Sequence, residues 1–216
     1  MPEAKPKKLG TGENMGGGSN GGNGSSNGEG GFPSPYSMEM ARMGMWVALI
    51  SLIMWFGALA MLYFSRIDEK LDYPFVPPKI LWLSTALLLA SSVPCQLGLL
   101  SIRKGDKEGL LRFFSWTLFI GFLFIVSQSI AWYQIWSEYV ATGQIGRKNP
   151  FTGLFYILTG VHAVHILGGI VWLGIVRNMA AKGIFSEKRH LAVYLSTMYW
   201  HFMDAVWVPF FILIMI

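Results

Sequence analysis

Residues 151–176 read FTGLFYILTGVHAVHILGGIVWLGIV, 26 consecutive positions without a formally charged side chain, yet they carry His162 and His165 one helical turn apart. About 20 apolar residues in a helix cross a hydrocarbon layer of about 30 Å, so this run is long enough to span a bilayer. Four more runs of that kind occur, at about 41–64, 80–102, 113–136 and 191–216. Each is continuously apolar, whereas the strand of a membrane β-barrel alternates apolar and polar residues over roughly ten positions. The predicted fold class is therefore all-α, an integral membrane bundle of five transmembrane helices spread over residues 36–216. A composition of 53% hydrophobic, 15% aromatic and 13% charged residues agrees with that class.

The flanking loops predict orientation. Lys5, Lys7, Lys8, Arg42, Arg103, Lys104, Lys107, Arg112, Arg177, Lys182, Lys188 and Arg189 fall on one side, while Arg66, Lys70, Lys79, Arg147 and Lys148 fall on the other. Positive charge collects on the cytoplasmic side, which puts the N-terminus inside and the C-terminus outside. The net charge of +5 is accounted for by this topology and implies no nucleic-acid partner.

Residues 1–35 differ in kind. The stretch MGGGSNGGNGSSNGEGG has neither apolar periodicity nor the volume to form a core and predicts a flexible cytoplasmic tail. Its glycines do not follow a strand or open directly into a helix, so they do not form a dinucleotide-binding loop. The tail lacks the apolar core of a secretory signal and the Arg-rich amphipathic pattern of a mitochondrial presequence, which points to a bacterial inner membrane. A lone cysteine, Cys95, cannot form an intramolecular disulfide and is expected to pack as a small apolar side chain. Pro94 and Pro209 are expected to bend their helices.

Helical spacing sorts the polar residues within the spans into faces. Gly153, Gly160 and Gly168 form a narrow stripe predicted to admit another helix, and His162, His165, Gly169 and Trp172 lie roughly opposite. On the last span Tyr194, Thr197, His201, Asp204 and Val208 share a face, and Thr117, Gly121 and Gln128 recur at similar spacing on the third. Asp204 is the sole carboxylate well inside a span. An ionised carboxylate there costs about 2.5–3.5 kcal/mol on insertion scales, so it should be paired, protonated or wet. His201, one turn earlier, is its nearest candidate partner, and the three sets could meet in one polar layer.

Four readings fit these histidines. His162 or His165 could face His201 across a haem, since neutral imidazole is a good axial ligand. His201 and Asp204 could relay protons. A metal site lacks a convincing ligand set, because Cys95 and His190 sit near helix ends or in loops. Interhelical hydrogen bonding that fixes register is the default for such groups, each bond contributing about 1 kcal/mol or less. No Ser-His-Asp arrangement and no inverted repeat of a transporter is visible.

The closing stretch YWHFMDAVWVPFF, Tyr199 to Phe211, resembles the end of subunit III of the haem-copper oxidases, where Tyr-Trp-His-Phe precedes Asp and then Val-Trp. LFYILTGVHAVHILGG is similar to that family's penultimate helix. LWLSTALLLASSVPCQLG resembles its Ser-Thr helix with a paired serine, and RMGMWVALIS the Arg-x-Gly-Met-Trp opening of an earlier one. The resemblance runs from Ala41 to the end. It implies the short five-helix form of subunit III, without the two leading helices of longer members and the lipid-filled cleft they form.

The resemblance further implies a non-catalytic subunit of a terminal oxidase that reduces oxygen to water with electrons from cytochrome c and pumps protons. Haem and copper would sit in partner subunits I and II and none in this chain, which would hold phospholipid. His162, His165, His201, Asp204, Gln128, Trp200 and Arg42 would then organise helix packing, lipid contact or a subunit interface, with no catalytic or metal-binding residue among them. Two departures stand out: Leu52 follows Ser51 where the family often has Glu, and Ala131 stands where it often has a second Glu. A carboxylate antenna within the membrane is weakened accordingly. A quinol oxidase subunit III, an accessory protein of nitric oxide reduction on the same fold, and a stand-alone di-haem cytochrome remain as alternatives. Membership of a larger respiratory supercomplex is open.

Overall fold

The computed structural model describes residues 35–65, 77–141 and 150–215. Five helices follow in order: α1 (Pro35–Phe64), α2 (Ile80–Arg103), α3 (Lys107–Ala141), α4 (Pro150–Ala181) and α5 (Leu191–Met215). All five are long and apolar enough to cross a membrane. The predicted tail, up to residue 34, lies outside the described residues.

The predicted spans and the helices agree closely for α2 and α5, while α1, α3 and α4 extend further than their apolar runs. The extension of α3 has a clear cause. Asp106 Oδ1 accepts the Gly109 N–H at 2.8 Å, an N-cap that starts the helix in the polar turn before the hydrocarbon region. Lys107, Glu108 and Arg112 then ride on helix exposed beyond it.

Residues 104–106 join α2 to α3 and residues 182–190 join α4 to α5, and the preceding helix closes on a glycine in each. Gly105 has φ +78° and Gly183 φ +75°, the left-handed conformation at a helix C-terminus that costs a side chain dearly. In the first turn Gly105 N–H donates to Ile102 O and Asp106 N–H to Ser101 O. In the second, Gly183 N–H donates to Ala180 O and Ile184 N–H to Met179 O, the same pair of bonds. An added β-carbon at Gly183 meets no atom within 4 Å, so its conformation alone sets the cost of substitution. Gly183→Ala should lower stability by about 1–2 kcal/mol, read as a lower midpoint of thermal unfolding by helical circular dichroism in detergent.

α2 and α3 form an antiparallel hairpin with the most extensive contact in the bundle. Gly98 is why they approach so closely: a β-carbon there would sit 2.6 Å from the Phe114 ring. α3 packs on α4, and α5 on both α2 and α4, closing a ring of four helices; α1 lies outside it against α4 and α5. α1 buries the smallest share of its span, and Trp46, Met54, Trp55 and Met61 are exposed along it. Apolar side chains that face outward need no explanation in lipid, which is as apolar as the residues themselves. The buried core centres on Phe56, Leu88, Phe114, Phe124, Trp200 and Trp207.

Candidate functional site

Tryptophan indoles tie the helices together by one repeated device. Trp200 Nε1–H donates to Ser91 Oγ at 2.8 Å and Trp207 Nε1–H to Thr85 Oγ1 at 2.9 Å, both from α5 to α2. Trp132 Nε1–H donates to Thr159 Oγ1 at 3.0 Å, from α3 to α4. Each accepting hydroxyl gives its own proton to a carbonyl of its own helix: Ser91 to Leu88, Thr85 to Leu81, Thr159 to Phe155. The oxygen's lone pairs are thereby left facing the neighbouring helix, where the indole, a donor only, requires an acceptor.

Trp200 stands at the middle of this arrangement. A β-carbon at Gly121 on α3 would lie 2.9 Å from its ring, and one at Gly169 on α4 3.5 Å from it. Two glycines on different helices thus make the slot that this fully buried ring fills, while its N–H reaches the third helix. Gly121 and Gly169, noticed in the sequence for their spacing, are needed for close approach. The other glycine stripe, predicted to admit another helix, meets no helix of this chain among the described residues. A β-carbon at Gly153, Gly160 or Gly168 meets nothing within 4 Å among the described residues, so that face of α4 turns away from the bundle.

Asp204 and His201 are joined through a third residue. Ser92 Oγ on α2 donates to Asp204 Oδ2, and the same oxygen lies 3.1 Å from His201 Nδ1. Because the hydroxyl has one proton and gives it to the carboxylate, it accepts from the ring, which places a hydrogen on Nδ1. His201 Nε2, the acceptor of a ring protonated on Nδ1, lies 3.1 Å from the end of the Gln96 side-chain amide, which pairs with it through its NH2 group. The candidate partner of Asp204 was His201; the observed partner is Ser92, 112 positions away on α2. Ser92 and Gln96 stand four apart on one face of α2, a spacing that could have flagged them. Asp204 Oδ1 is buried with no hydrogen-bond partner among the described residues.

Among the described residues the three polar sets make no side-chain hydrogen bond to one another. His162 is fully buried beneath aromatic rings: Trp207 is tilted over it at 4.8 Å between centroids, with Phe56 and Phe124 edge-on at 6.1 and 6.2 Å. Neither of its ring nitrogens has a hydrogen-bond partner among the described residues. His165 Nδ1–H donates to Val161 O at 2.8 Å in its own helix, and Tyr199 O–H reaches His165 O at 3.1 Å. Gln128 is buried with neither amide atom paired among the described residues. Leu52, where a carboxylate was looked for, is half-buried and packs on the core, and Ala131 is fully buried.

These contacts fit haem poorly. Both nitrogens of His201 are occupied by Ser92 and Gln96, and His162 is enclosed by rings on three helices. No group of three or more His, Cys, Asp or Glu side chains placed to hold a metal ion occurs among the described residues. Cys95 is buried.

At the opposite extreme of exposure, Arg42 sits over the Tyr194 ring at 5.7 Å. It borders a pocket where the start of α1, the end of α2 and the start of α5 meet.

Comparison with known proteins gives the arrangement its family. The model of the family Cytochrome c oxidase subunit III matches residues 31–216, which takes in all five helices. "Probable cytochrome c oxidase subunit 3" of Nocardia farcinica is 32% identical over 180 residues, covering 80% of this chain and 86% of the relative. "Cytochrome c oxidase subunit 3" of Corynebacterium diphtheriae is 31% identical over 185 residues, covering 82% and 87%. The protein of that name from Thermostichus vulcanus is 30% identical over 183 residues, covering 81% and 86%. The chain belongs to the cytochrome c oxidase subunit III family.

Proposed function

We propose that the chain is the non-catalytic subunit III of a bacterial haem-copper oxidase, lying in the inner membrane with its N-terminus in the cytoplasm and its C-terminus outside. The observation that carries this reading is the extent of the family match, which spans the whole five-helix bundle. In this reading oxygen is reduced to water on subunit I, electrons arrive from cytochrome c through subunit II, and proton pumping accompanies the reaction. The names of the relatives favour cytochrome c over quinol as donor.

The chain's own work is then mechanical and lipidic. His162, His165, His201, Asp204, Gln128 and Trp200 set the register of the bundle, Arg42 faces the lipid headgroup region, and the docked bundle stabilises subunit I, sustains proton uptake and holds phospholipid. Four intramembrane hydrogen bonds support this, because each joins one helix to another. Two outcomes test it. Membranes lacking the chain should oxidise reduced cytochrome c more slowly or lose that activity progressively during turnover, and undiminished, sustained activity would contradict the assignment. Asp204→Ala should loosen the complex, seen as earlier subunit loss in detergent, and leave the haem absorption spectrum intact; disappearance of one haem on that change would argue for a ligand role.

A further inference from the structure

We propose that Gln128 on α3 and His162 on α4 hold a buried water molecule between them, which links the two helices inside the bundle. Gln128 is 1% exposed and His162 0%. Neither amide atom of Gln128 and neither ring nitrogen of His162 has a hydrogen-bond partner among the described residues. Contacts on either side bring the two residues to one level. Phe124 on α3 meets the His162 ring at 6.2 Å between centroids; further along, Trp132 Nε1–H donates to Thr159 Oγ1 and the Tyr156 hydroxyl donates to the Trp132 carbonyl at 2.8 Å. As α3 advances from 124 to 132, α4 therefore runs back from 162 to 156. Gln128 stands one turn from Phe124 and one turn from Trp132, between these contacts and on the same side of α3. Ala131, fully buried three positions on, brings only a methyl group to that side.

The chemistry selects water. A buried polar group without a partner is costly, and within lipid no bulk solvent reaches it to lower that cost. Gln128 and His162 share a level yet make no bond to each other, which is the separation that a bridging water spans. A neutral imidazole presents one N–H and one bare nitrogen, and the amide presents a carbonyl oxygen and an NH2 group. Water gives and takes equally, so it accepts from the amide and donates to the bare nitrogen, and its other O–H is left for a helix carbonyl with a lone pair to spare. An ion suits the site less well. Neither side chain is formally charged, the rings around His162 are those of Phe56, Phe124 and Trp207, and no cluster of metal-ligating side chains occurs among the described residues. The inference concerns the interior of this chain and is independent of the electron donor and of docking to other subunits.

Radiolytic hydroxyl labelling tests it in the full-length chain, purified in detergent with whatever subunits accompany it. A brief X-ray pulse converts a bound water into a hydroxyl radical where it sits, so rings beside it are hydroxylated although bulk solvent does not reach them, and peptide mass spectrometry gives the rate at each ring. Two matched pairs serve as readout: Phe124 against Phe114 on α3, and Trp207 against Trp200 on α5, all four of them buried. Phe124 and Trp207, which border His162, should be labelled severalfold faster than Phe114 and Trp200, and Gln128→Leu should bring them down to the rate of their controls. The same variant should lower the thermal midpoint by about 2–4 °C, because it leaves His162 without its bridge. Equal slow labelling of all four rings would overturn the site, and so would fast labelling that survives Gln128→Leu. A higher midpoint in that variant would also overturn it, since removal of a merely unpaired amide stabilises the bundle. If Gln128→Leu fails to fold, the contrast within the two pairs in the unaltered chain still decides.

Discussion

Replacing Trp200 by Ala destabilises the helix bundle by about 3 kcal/mol, the largest loss expected from any one substitution in the chain. Within lipid the term for transfer from water is small, because helices separated in a bilayer still sit in an apolar medium. What remains is the hole. The slot between Gly121 and Gly169 is formed by backbone that has no side chain to collapse inward, so a residual cavity of ~100 Å³ at about 24 cal/mol per Å³ costs about 2.4 kcal/mol. Loss of the bond to Ser91 adds about 0.6 kcal/mol. Trp200→Phe keeps most of the volume and gives up the N–H, so its loss should be well under half as large. Thermal unfolding of the purified protein in one detergent, followed by helical circular dichroism, compares the two; equal losses would mean that the hydrogen bond and not the filled slot holds the helices.

The second large effect is an asymmetry. Ser92→Ala should cost about 2–3 kcal/mol, whereas Asp204→Ala should cost about 1 kcal/mol or less. Removing Ser92 strands a buried carboxylate whose Oδ1 already lacks a partner, and it also takes the acceptor from His201 Nδ1. Removing Asp204 strands little, since the Ser92 hydroxyl can turn to a carbonyl of its own helix as its neighbour Ser91 does. The double variant should therefore be more stable than Ser92→Ala alone, by about 1–2 kcal/mol. Simple additivity of the two losses would show that Ser92 and Asp204 act independently and would remove the central element of the α2–α5 contact.

Much of the fold is legible in the sequence, and the reason is physical. A bilayer demands about 20 apolar residues per crossing, so span number and approximate place follow from the length of the runs. Helix ends follow less well, since α3 begins at a cap formed by Asp106, in polar sequence that hydropathy does not count. The direction in which a face points is harder still. In water the apolar face turns inward; in lipid both faces are apolar, and spacing alone cannot tell that Gly121 and Gly169 line a contact within the bundle while Gly153, Gly160 and Gly168 meet nothing among the described residues.

Partnership across helices is the other limit. One-turn spacing made His201 the obvious neighbour of Asp204, yet a helix presents its side chains to other helices, and Ser92 arrives from a distant part of the chain. The closing Tyr-Trp-His-Phe stretch nonetheless pointed to the right family from its residues. Trp200, within that stretch, proves to be the group that touches three other helices.

Affinity capture of the tagged chain from its native membranes in mild detergent, with every co-purifying protein identified by mass spectrometry, tests the subunit assignment most directly. The account predicts recovery of a large multi-helix haem protein together with a copper-binding subunit. Recovery of the chain alone, with haem still attached to it, would contradict the account and return His162, His165 and His201 to the role of ligands.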